Sequence, residues 1–309
     1  MQFISSLHKI QSHHQNAVVT IGNFDGVHIG HQQLISTLKQ SAAIQQKASM
    51  VITFEPLPAE YFSSADSPIK LMTLREKLHQ LKALQIDYAL CLKFNRELAN
   101  LSAQAFINEL LIKRLNIAHL IVGKDFRFGH ERQGDIALLK RQNPFTVETI
   151  EKVQKENECV SSTRIRAALA NNHFELAKQL LGKDYAISGR IIHGQKLGRT
   201  LGFPTANIPL RKLTLPIEGV FAVEVLGLHS EPLPGVANIG KKPTLNGIKK
   251  LLEVHLLDFD QSIYGRYIQI IPRKKIRDEK KFSDLAALSA QIVEDVKMAK
   301  QFFYRFGRN

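Results

Sequence analysis

The run Gly22-Asn23-Phe24-Asp25-Gly26-Val27-His28-Ile29-Gly30-His31 sets two histidines three residues apart behind an aspartate and a group of glycines. On the first turn of a helix, His28 and His31 would share a face and could donate hydrogen bonds to phosphate oxygens. The helix start adds unpaired N–H groups and a positive dipole end, and the glycines let a ligand approach the backbone. Such an array stabilises charge on a departing pyrophosphate without a covalent intermediate, which is what nucleotidyl transfer requires. The run is not a Walker A loop, so transfer of a terminal phosphoryl group is not implied here. Taken alone, a pair of solvated turn histidines is the plain alternative.

Val160-Ser161-Ser162-Thr163-Arg164-Ile165-Arg166 is a second candidate. Its hydroxyls suit a helix N-cap, and Arg166, three residues after Thr163, can reach over a phosphate at the same place. Phe54, Pro58, Phe62 and Phe128 offer flat apolar faces of the kind a planar ring system prefers. A single phenylalanine, however, is more often core.

A different phosphate chemistry is suggested further on, where Gly194-Gln195-Lys196-Leu197-Gly198-Arg199-Thr200 leads into Leu201-Gly202-Phe203-Pro204-Thr205-Ala206-Asn207. The glycine-punctuated loop can lay backbone N–H groups along phosphates. Thr205 and Asn207 supply hard oxygens suited to Mg²⁺, which takes only one or two protein ligands beside a nucleotide's phosphates. Glu253, in Leu252-Glu253-Val254-His255-Leu256-Leu257-Asp258, is a carboxylate in a largely apolar strand and could take the proton of an alcohol. An ordinary turn and a solvent-facing strand charge are the competing readings.

These segments need elements to position them. From Ala17 onward, short β-type runs (AVVTIGNF, SMVITFEP, YALCLKF, AHLIVG, FTVETIEKV) alternate with helical patterns (QQLISTLKQSAAIQQ, AFINELLIKRL, STRIRAALANNHFELAKQLLG). That alternation predicts a parallel sheet wrapped by helices, a Rossmann-like α/β domain whose ligands bind at the carboxyl ends of the strands. Gly182 is the expected C-cap of its last helix. Beyond Lys183 come short strands with Gly/Pro punctuation, which predict a small antiparallel β-barrel followed by a C-terminal helix with Ser283 as N-cap. The expected domains are residues 1–182 and 183–309.

Bulk properties restrict the function. The formal net charge is +14 and favours anionic partners, nucleotides and phosphorylated small molecules as well as nucleic acid. Cys91 and Cys159 lie far apart in no metal-type spacing, so neither a disulfide framework nor a zinc site is expected. No apolar run approaches a membrane span, and MQFISSLHKIQSHH has no signal-peptide core, so a soluble, cytoplasmic protein is expected.

Together these motifs resemble the bifunctional riboflavin kinase/FAD synthetases, whose nucleotidyltransferase half shares His-x-Gly-His with class I aminoacyl-tRNA synthetases and cytidylyltransferases. Thr53-Phe54-Glu55-Pro56-Leu57-Pro58, Leu74-Arg75-Glu76-Lys77, Val122-Gly123-Lys124-Asp125-Phe126-Arg127-Phe128-Gly129 and Ile276-Arg277-Asp278-Glu279-Lys280-Lys281-Phe282 extend the match, in the family's order, over nearly the whole chain. The resemblance implies phosphorylation of riboflavin to FMN and adenylylation of FMN to FAD, with Mg²⁺ and ATP. In the first half it implies ATP contacts from Gly22, Phe24, Asp25, His28, Gly30, His31, Asp125, Ser162, Thr163 and Arg166, and flavin contacts from Pro58, Phe62 and Phe128. In the second it implies ATP contacts from Gly194, Gly198, Arg199, Thr205 and Asn207, Mg²⁺ on Thr205 and Asn207, Glu253 as base, and Arg277 near the flavin.

One departure stands out. Many relatives carry a basic residue immediately before the Val/Ile-Ser-Ser-Thr segment, where this chain has Cys159; that removes a phosphate contact, for which Arg164 and Arg166 are the candidate replacements. Two alternatives follow, a riboflavin kinase whose first domain binds nucleotide or flavin but adenylylates poorly, and an RNA-binding protein. The second leaves the barrel motifs unexplained and shows no RNA-recognition signature. The expected partners are therefore small molecules, with no nucleic acid and no membrane.

Overall fold

A computed structural model describes residues 1–63, 67–142, 144–194, 198, 201–210, 215–244 and 247–306. Arg199, expected above to contact a nucleotide, lies outside the described residues. Contacts divide the chain into two compact units, Met1–Pro68 with Met72–Arg164, and Ile69–Leu71 with Ile165–Asn309.

The first unit is built on aliphatic and β-branched runs that form β1 (Gln2–Ile4), β2 (Val18–Ile21), β3 (Ser49–Glu55), β4 (Tyr88–Lys93), β5 (His119–Gly123) and β6 (Thr146–Ile150). They make one parallel sheet in the order β1-β4-β3-β2-β5-β6, and β7 (Gln154–Lys155) and β8 (Glu158–Cys159) pair as a separate antiparallel hairpin. Alternation along the strands sends Val19, Ile21, Met50 and Ile52 to one face, where they pack with Phe106, Ile107, Leu110 and Leu111. Val18, Val51, Ala89 and Ile121 turn to the other face, against Leu34, Ile35 and Leu38 of the helix α1 (Ile29–Ile44). Both faces are covered, as a parallel sheet requires. The first connections all run to one side of β2 and the next returns to β5 on its other side, so a crevice opens between β2 and β5 at their carboxyl ends.

In the second unit β9 (Ile187–Arg190), β10 (Ala206–Pro209), β11 (Gly219–Leu226), β12 (Leu233–Thr244), β13 (Gly247–Leu256) and β14 (Tyr267–Arg277) pair antiparallel in the order β10-β13-β12-β11-β14-β9. Just past β9, the Ile192 N–H donates to the carbonyl of Asn207 in β10 at 2.9 Å, nearly closing the sheet into a barrel. The C-terminal helix (Leu285–Phe306) buries Ala299 and packs Val296, Phe302 and Phe303 against Val220, Ala222 and Val236.

Two local expectations need correction. The helical stretch after Ser161 is two helices, Ser162–Ala170 and Phe174–Leu181, because Asn172 takes a left-handed conformation (φ +58°) and breaks the run. Ser283 is not the N-cap of the last helix: the Asp284 carboxylate accepts the Ala287 N–H at 2.8 Å, and the Ser283 hydroxyl donates to that carboxylate. A carboxylate caps the positive helix end better than a hydroxyl one residue further out. Gly182 is the C-cap expected, at φ +72° with its N–H on the Lys178 carbonyl.

A half-buried ion network ties the helix Phe174–Leu181 to the barrel. Arg273 donates to Asp184 at 2.6 Å and to Glu224 at 2.6 Å, and Lys178 reaches Asp184 at 3.2 Å. Burial alone would raise the Asp184 carboxyl, but the bonds from Arg273 and Lys178 outweigh it and hold the group below its ordinary 3.8. A carboxyl more acidic in the folded than in the unfolded chain stabilises the fold above its unfolded value and loses that contribution as pH falls through the folded one. Asp184→Asn is therefore expected to cost about 1–3 kcal/mol at pH 7, read as a lower thermal midpoint. The gap to the unmodified protein should shrink below pH 3.8; a gap that stays constant down to pH 2 would refute the linkage.

Candidate functional site

The crevice between β2 and β5 holds a cavity of about 790 Å³. Four strands contribute to it at their carboxyl ends, through Ile21 and Gly22, Phe54, Gly123, and Ile150. Gly22, Phe24, His28, Gly30, His31, Asp125 and Ser162 all line it, as do Pro58, Phe62 and Phe128.

The loop from β2 into α1 is wound tightly. Phe24 (φ +47°), Gly26 (φ +85°) and Val27 (φ +42°) all lie in the left-handed region, where a β-branched residue is an outlier. Strain of about 1–3 kcal/mol per such residue persists only where surrounding structure over-determines it. Here the Phe24 ring is wholly buried, and the buried Lys77 ammonium donates to the Asn23 carbonyl at 2.6 Å and to Thr53 Oγ1 at 3.1 Å. His28 does not belong to the first helical turn; it is the N-cap, its Nδ1 accepting the His31 N–H at 3.3 Å. An acceptor Nδ1 leaves the proton of the neutral ring on Nε2. The two imidazoles stack at 3.7 Å between centroids.

Ser161 caps the helix Ser162–Ala170 by accepting the Arg164 N–H at 3.2 Å, while the Ser162 hydroxyl donates to the Asp25 carbonyl at 2.8 Å. Asp25 is buried and is not among the residues that line the cavity. Thr163 and Arg166 are not among the residues lining the cavity, and Arg166 Nε donates to the Ile69 carbonyl at 2.5 Å. The Arg164 guanidinium is held by the carbonyl of Lys155 and by Glu158. Neither arginine lines the cavity as it stands, whereas Cys159 does. Lys152 does line it, with Nζ 2.9 Å from Asp125 Oδ2. That hydrogen bond and the carboxylate's charge hold the ammonium above its ordinary value.

Aromatic rings gather at one side. Phe94 meets Phe54 at 5.8 Å and Phe62 at 5.7 Å, both edge to face, and Phe126 stacks on Phe128 at 5.6 Å. Phe62 is 68 % exposed, whereas Phe128 is buried. Phe94 and Phe126 escaped the sequence reading, although an aromatic just past the apolar run of β4 was a usable signal.

The barrel carries a second cavity, of about 240 Å³, lined by Gly198, Thr205, Asn207, Glu253 and Arg277 among others. Strand register explains the convergence: Glu253 of β13 stands opposite Asn207 of β10 on one side and Asn238 of β12 on the other. Directly opposed residues project to the same face, so three polar side chains form a row across an otherwise apolar wall. Asn238 is a further member; its signal is a polar residue inside the run GVANIG, and its Oδ1 is buried without a hydrogen-bond partner among the described residues. Gly194 does not line the cavity but lies where any Cβ would overlap the Asn207 amide. His255 accompanies them, its Nδ1 2.9 Å from the Pro204 carbonyl, which steadies the turn carrying Thr205. Arg277 is fully engaged by a bidentate pair with the buried Asp295, at 2.8 and 2.7 Å.

Comparison with known proteins gives consistent matches. Residues 10–164 match the FAD synthetase family and residues 181–303 the riboflavin kinase family. The bifunctional riboflavin kinase/FMN adenylyltransferase of Escherichia coli (strain K12) is 48% identical over 98% of either chain. The protein of that description from Haemophilus influenzae is 45% identical over 98% of this chain and 99% of its own. Among solved structures, one described as a macrolide-efflux protein from Streptococcus pneumoniae is 30% identical, covers 97% of this chain and 99% of that one, and superposes with a TM-score of 0.82. Among the described residues of this chain, no helix is long and apolar enough to cross a membrane.

The wall carrying Phe128 depends on Gly129, whose φ of +73° and ψ of 178° suit glycine alone and whose Cβ would stand 2.6 Å from the Ala103 backbone. Gly129→Ala is expected to lower the unfolding free energy by about 2 kcal/mol or more. An unchanged thermal midpoint would mean that the loop relaxes freely.

Proposed function

The chain belongs to the bifunctional riboflavin kinase/FMN adenylyltransferases, and from that premise we propose how its two cavities share the work. The enzyme phosphorylates riboflavin to FMN and adenylylates FMN to FAD, with ATP as co-substrate in both steps. Phosphotransfer is assigned to the barrel cavity and adenylyl transfer to the crevice between β2 and β5, with the division of labour between residues 1–182 and 183–309. The observation that carries this assignment is that the polar residues of each half line a cavity of their own.

In the barrel, the Glu253 carboxylate takes the proton of the riboflavin 5′-hydroxyl as its oxygen bonds to the γ-phosphorus of ATP, and ADP leaves. The Asn238 Oδ1, buried beside Glu253 with no partner among the described residues, accepts from a ribityl hydroxyl and aligns the alcohol. Thr205 and Asn207 offer neutral hard oxygens in a cradle closed by Gly194, a donor set that fits Mg²⁺. Bound there, the ion neutralises charge on the nucleotide's phosphates. Leu288, Ile292 and Val296 of the C-terminal helix add an apolar wall for the flavin ring, beside Phe282 and the guanidinium plane of Arg277.

In the crevice, a phosphate oxygen of FMN attacks the α-phosphorus of ATP and pyrophosphate leaves. His28 Nε2, His31 and the Ile29 and Gly30 N–H groups that open α1 hold phosphate oxygens, with Gly22, Gly30, Asp125 and Ser162, whose hydroxyl is held by the Asp25 carbonyl, shaping the nucleotide's bed. Thr163 and Arg166 belong to this proposal only through the helix that Ser161 caps. Pro58, Phe62, Phe94 and Phe128 supply faces for the isoalloxazine. Since both reactions consume ATP, we place the enzyme in the cytoplasm, acting on small molecules.

Chromatography of FMN and FAD from riboflavin, ATP and Mg²⁺ tests the assignment. Glu253→Gln is expected to abolish FMN formation and leave supplied FMN convertible to FAD. His28→Asn, which keeps a good N-cap but removes the imidazole, should spare the kinase and lower FAD formation about 100-fold. If either variant, still folded, lost both reactions, the division would be wrong. Asn238→Ala should raise the KM for riboflavin about 10-fold while leaving that for ATP unchanged; equal effects on both would remove Asn238 from the flavin side.

A further inference from the structure

The adenylyl-transfer cavity must receive a polyanionic triphosphate and then release pyrophosphate, and this inference rests on that reading of the cavity. Its phosphate end is marked by His28, Gly30, Ser161 and Ser162. Among the described residues lining it, the permanently cationic side chains are Arg127, Arg132 and Lys152. Arg127 and Arg132 flank the aromatic wall around Phe128, and Arg127 faces Asp135 at 3.6 Å.

Lys152 comes from the segment after β6, which lies against the start of α1: a Cβ on Gly30 would be 3.8 Å from the Val153 methyl and 3.2 Å from the His28 ring. The Val160 N–H donates to the Val153 carbonyl at 2.9 Å, so Lys152 adjoins the backbone link that leads into Ser161 and Ser162. Its ion pair with Asp125 is half exposed, 51% and 66% for the two side chains. Such pairs are worth about 0–1 kcal/mol, little enough to be exchanged for a phosphate.

We propose that Lys152 is the cation that binds the β- and γ-phosphates of ATP, leaving Asp125 when the nucleotide enters, and so supplies the positive charge absent at Cys159. In the step itself an FMN phosphate oxygen forms a bond to the α-phosphorus, and the bond from that phosphorus to the bridging oxygen breaks. The electron pair departs on pyrophosphate, next to the Lys152 ammonium. No proton has to move, so a fixed positive charge is the help the leaving group can use.

The test uses the full-length enzyme with FMN and Mg-ATP. Lys152→Met is expected to lower kcat/KM for ATP in FAD formation about 100-fold and to weaken product inhibition by pyrophosphate, with the riboflavin kinase rate and thermal midpoint as controls. Adding Cys159→Arg to that variant should restore most of the loss, since a cation then re-enters the cavity wall. ATP efficiency and pyrophosphate inhibition both unchanged in Lys152→Met would overturn the proposal. So would a loss matched by Asp125→Asn with pyrophosphate inhibition unaltered, because Lys152 would then only orient Asp125. An unmodified enzyme that made no FAD from FMN would fail the underlying reading instead.

Discussion

A β-strand shifted by one residue against its neighbour turns every side chain to the opposite face, so strand register decides which groups can converge. In the barrel that rule puts Asn207, Glu253 and Asn238 in one row, although they are separated by long stretches of sequence. In the parallel sheet it aligns Gly22 just past β2 with the ends of β3 and β5, around the crevice where the direction of winding reverses. Neither site is a property of one motif. Each is the place where backbone pairing brings the ends or faces of several strands together.

The strained turn above α1 shows how much of a fold's stability is committed to holding such a place. Lys77 is a buried cation, a costly thing to keep inside unless it is well bonded. It bonds the inner side of the Asn23 carbonyl, and Thr53 reaches the same oxygen at 3.2 Å. The loop is therefore anchored through that carbonyl, while Gly22, Phe24 and His28 line the cavity. His28 belongs to both, capping the start of the helix through Nδ1 and lining the cavity with the same ring.

What could be read in advance was what local patterning controls. Alternation of β and α segments gave the parallel sheet, Gly/Pro punctuation gave the barrel, and the glycine and histidine spacings found both cavities. The edge strand β1 was overlooked because three residues are too few for a periodic signal. Ser283 was mistaken for a cap because Ser and Asp, adjacent in the chain, are both good N-cap types, and only the hydrogen bonds tell them apart. Asn238, Phe94 and Lys152 were missed for a different reason: each matters through neighbours distant in sequence. Arg164 and Arg166 are close to Cys159 along the chain, whereas the cation that lines the cavity beside it, Lys152, comes from across a backbone hydrogen bond.

The aromatic wall of the crevice has an optical side. The chain contains no tryptophan, and its six tyrosines include Tyr61, which packs edge to face with Phe62 at 5.3 Å and Phe94 at 5.4 Å. Phenylalanine and tyrosine absorb only in the ultraviolet, so the protein is colourless and nearly dark wherever a flavin absorbs and emits. The Tyr61 phenol, unlike the phenylalanine rings, gives up an electron readily to an excited isoalloxazine, so a flavin bound within reach of it would lose much of its emission. Loss and return of yellow-green emission would then follow the filling and emptying of the crevice by light, with no label attached.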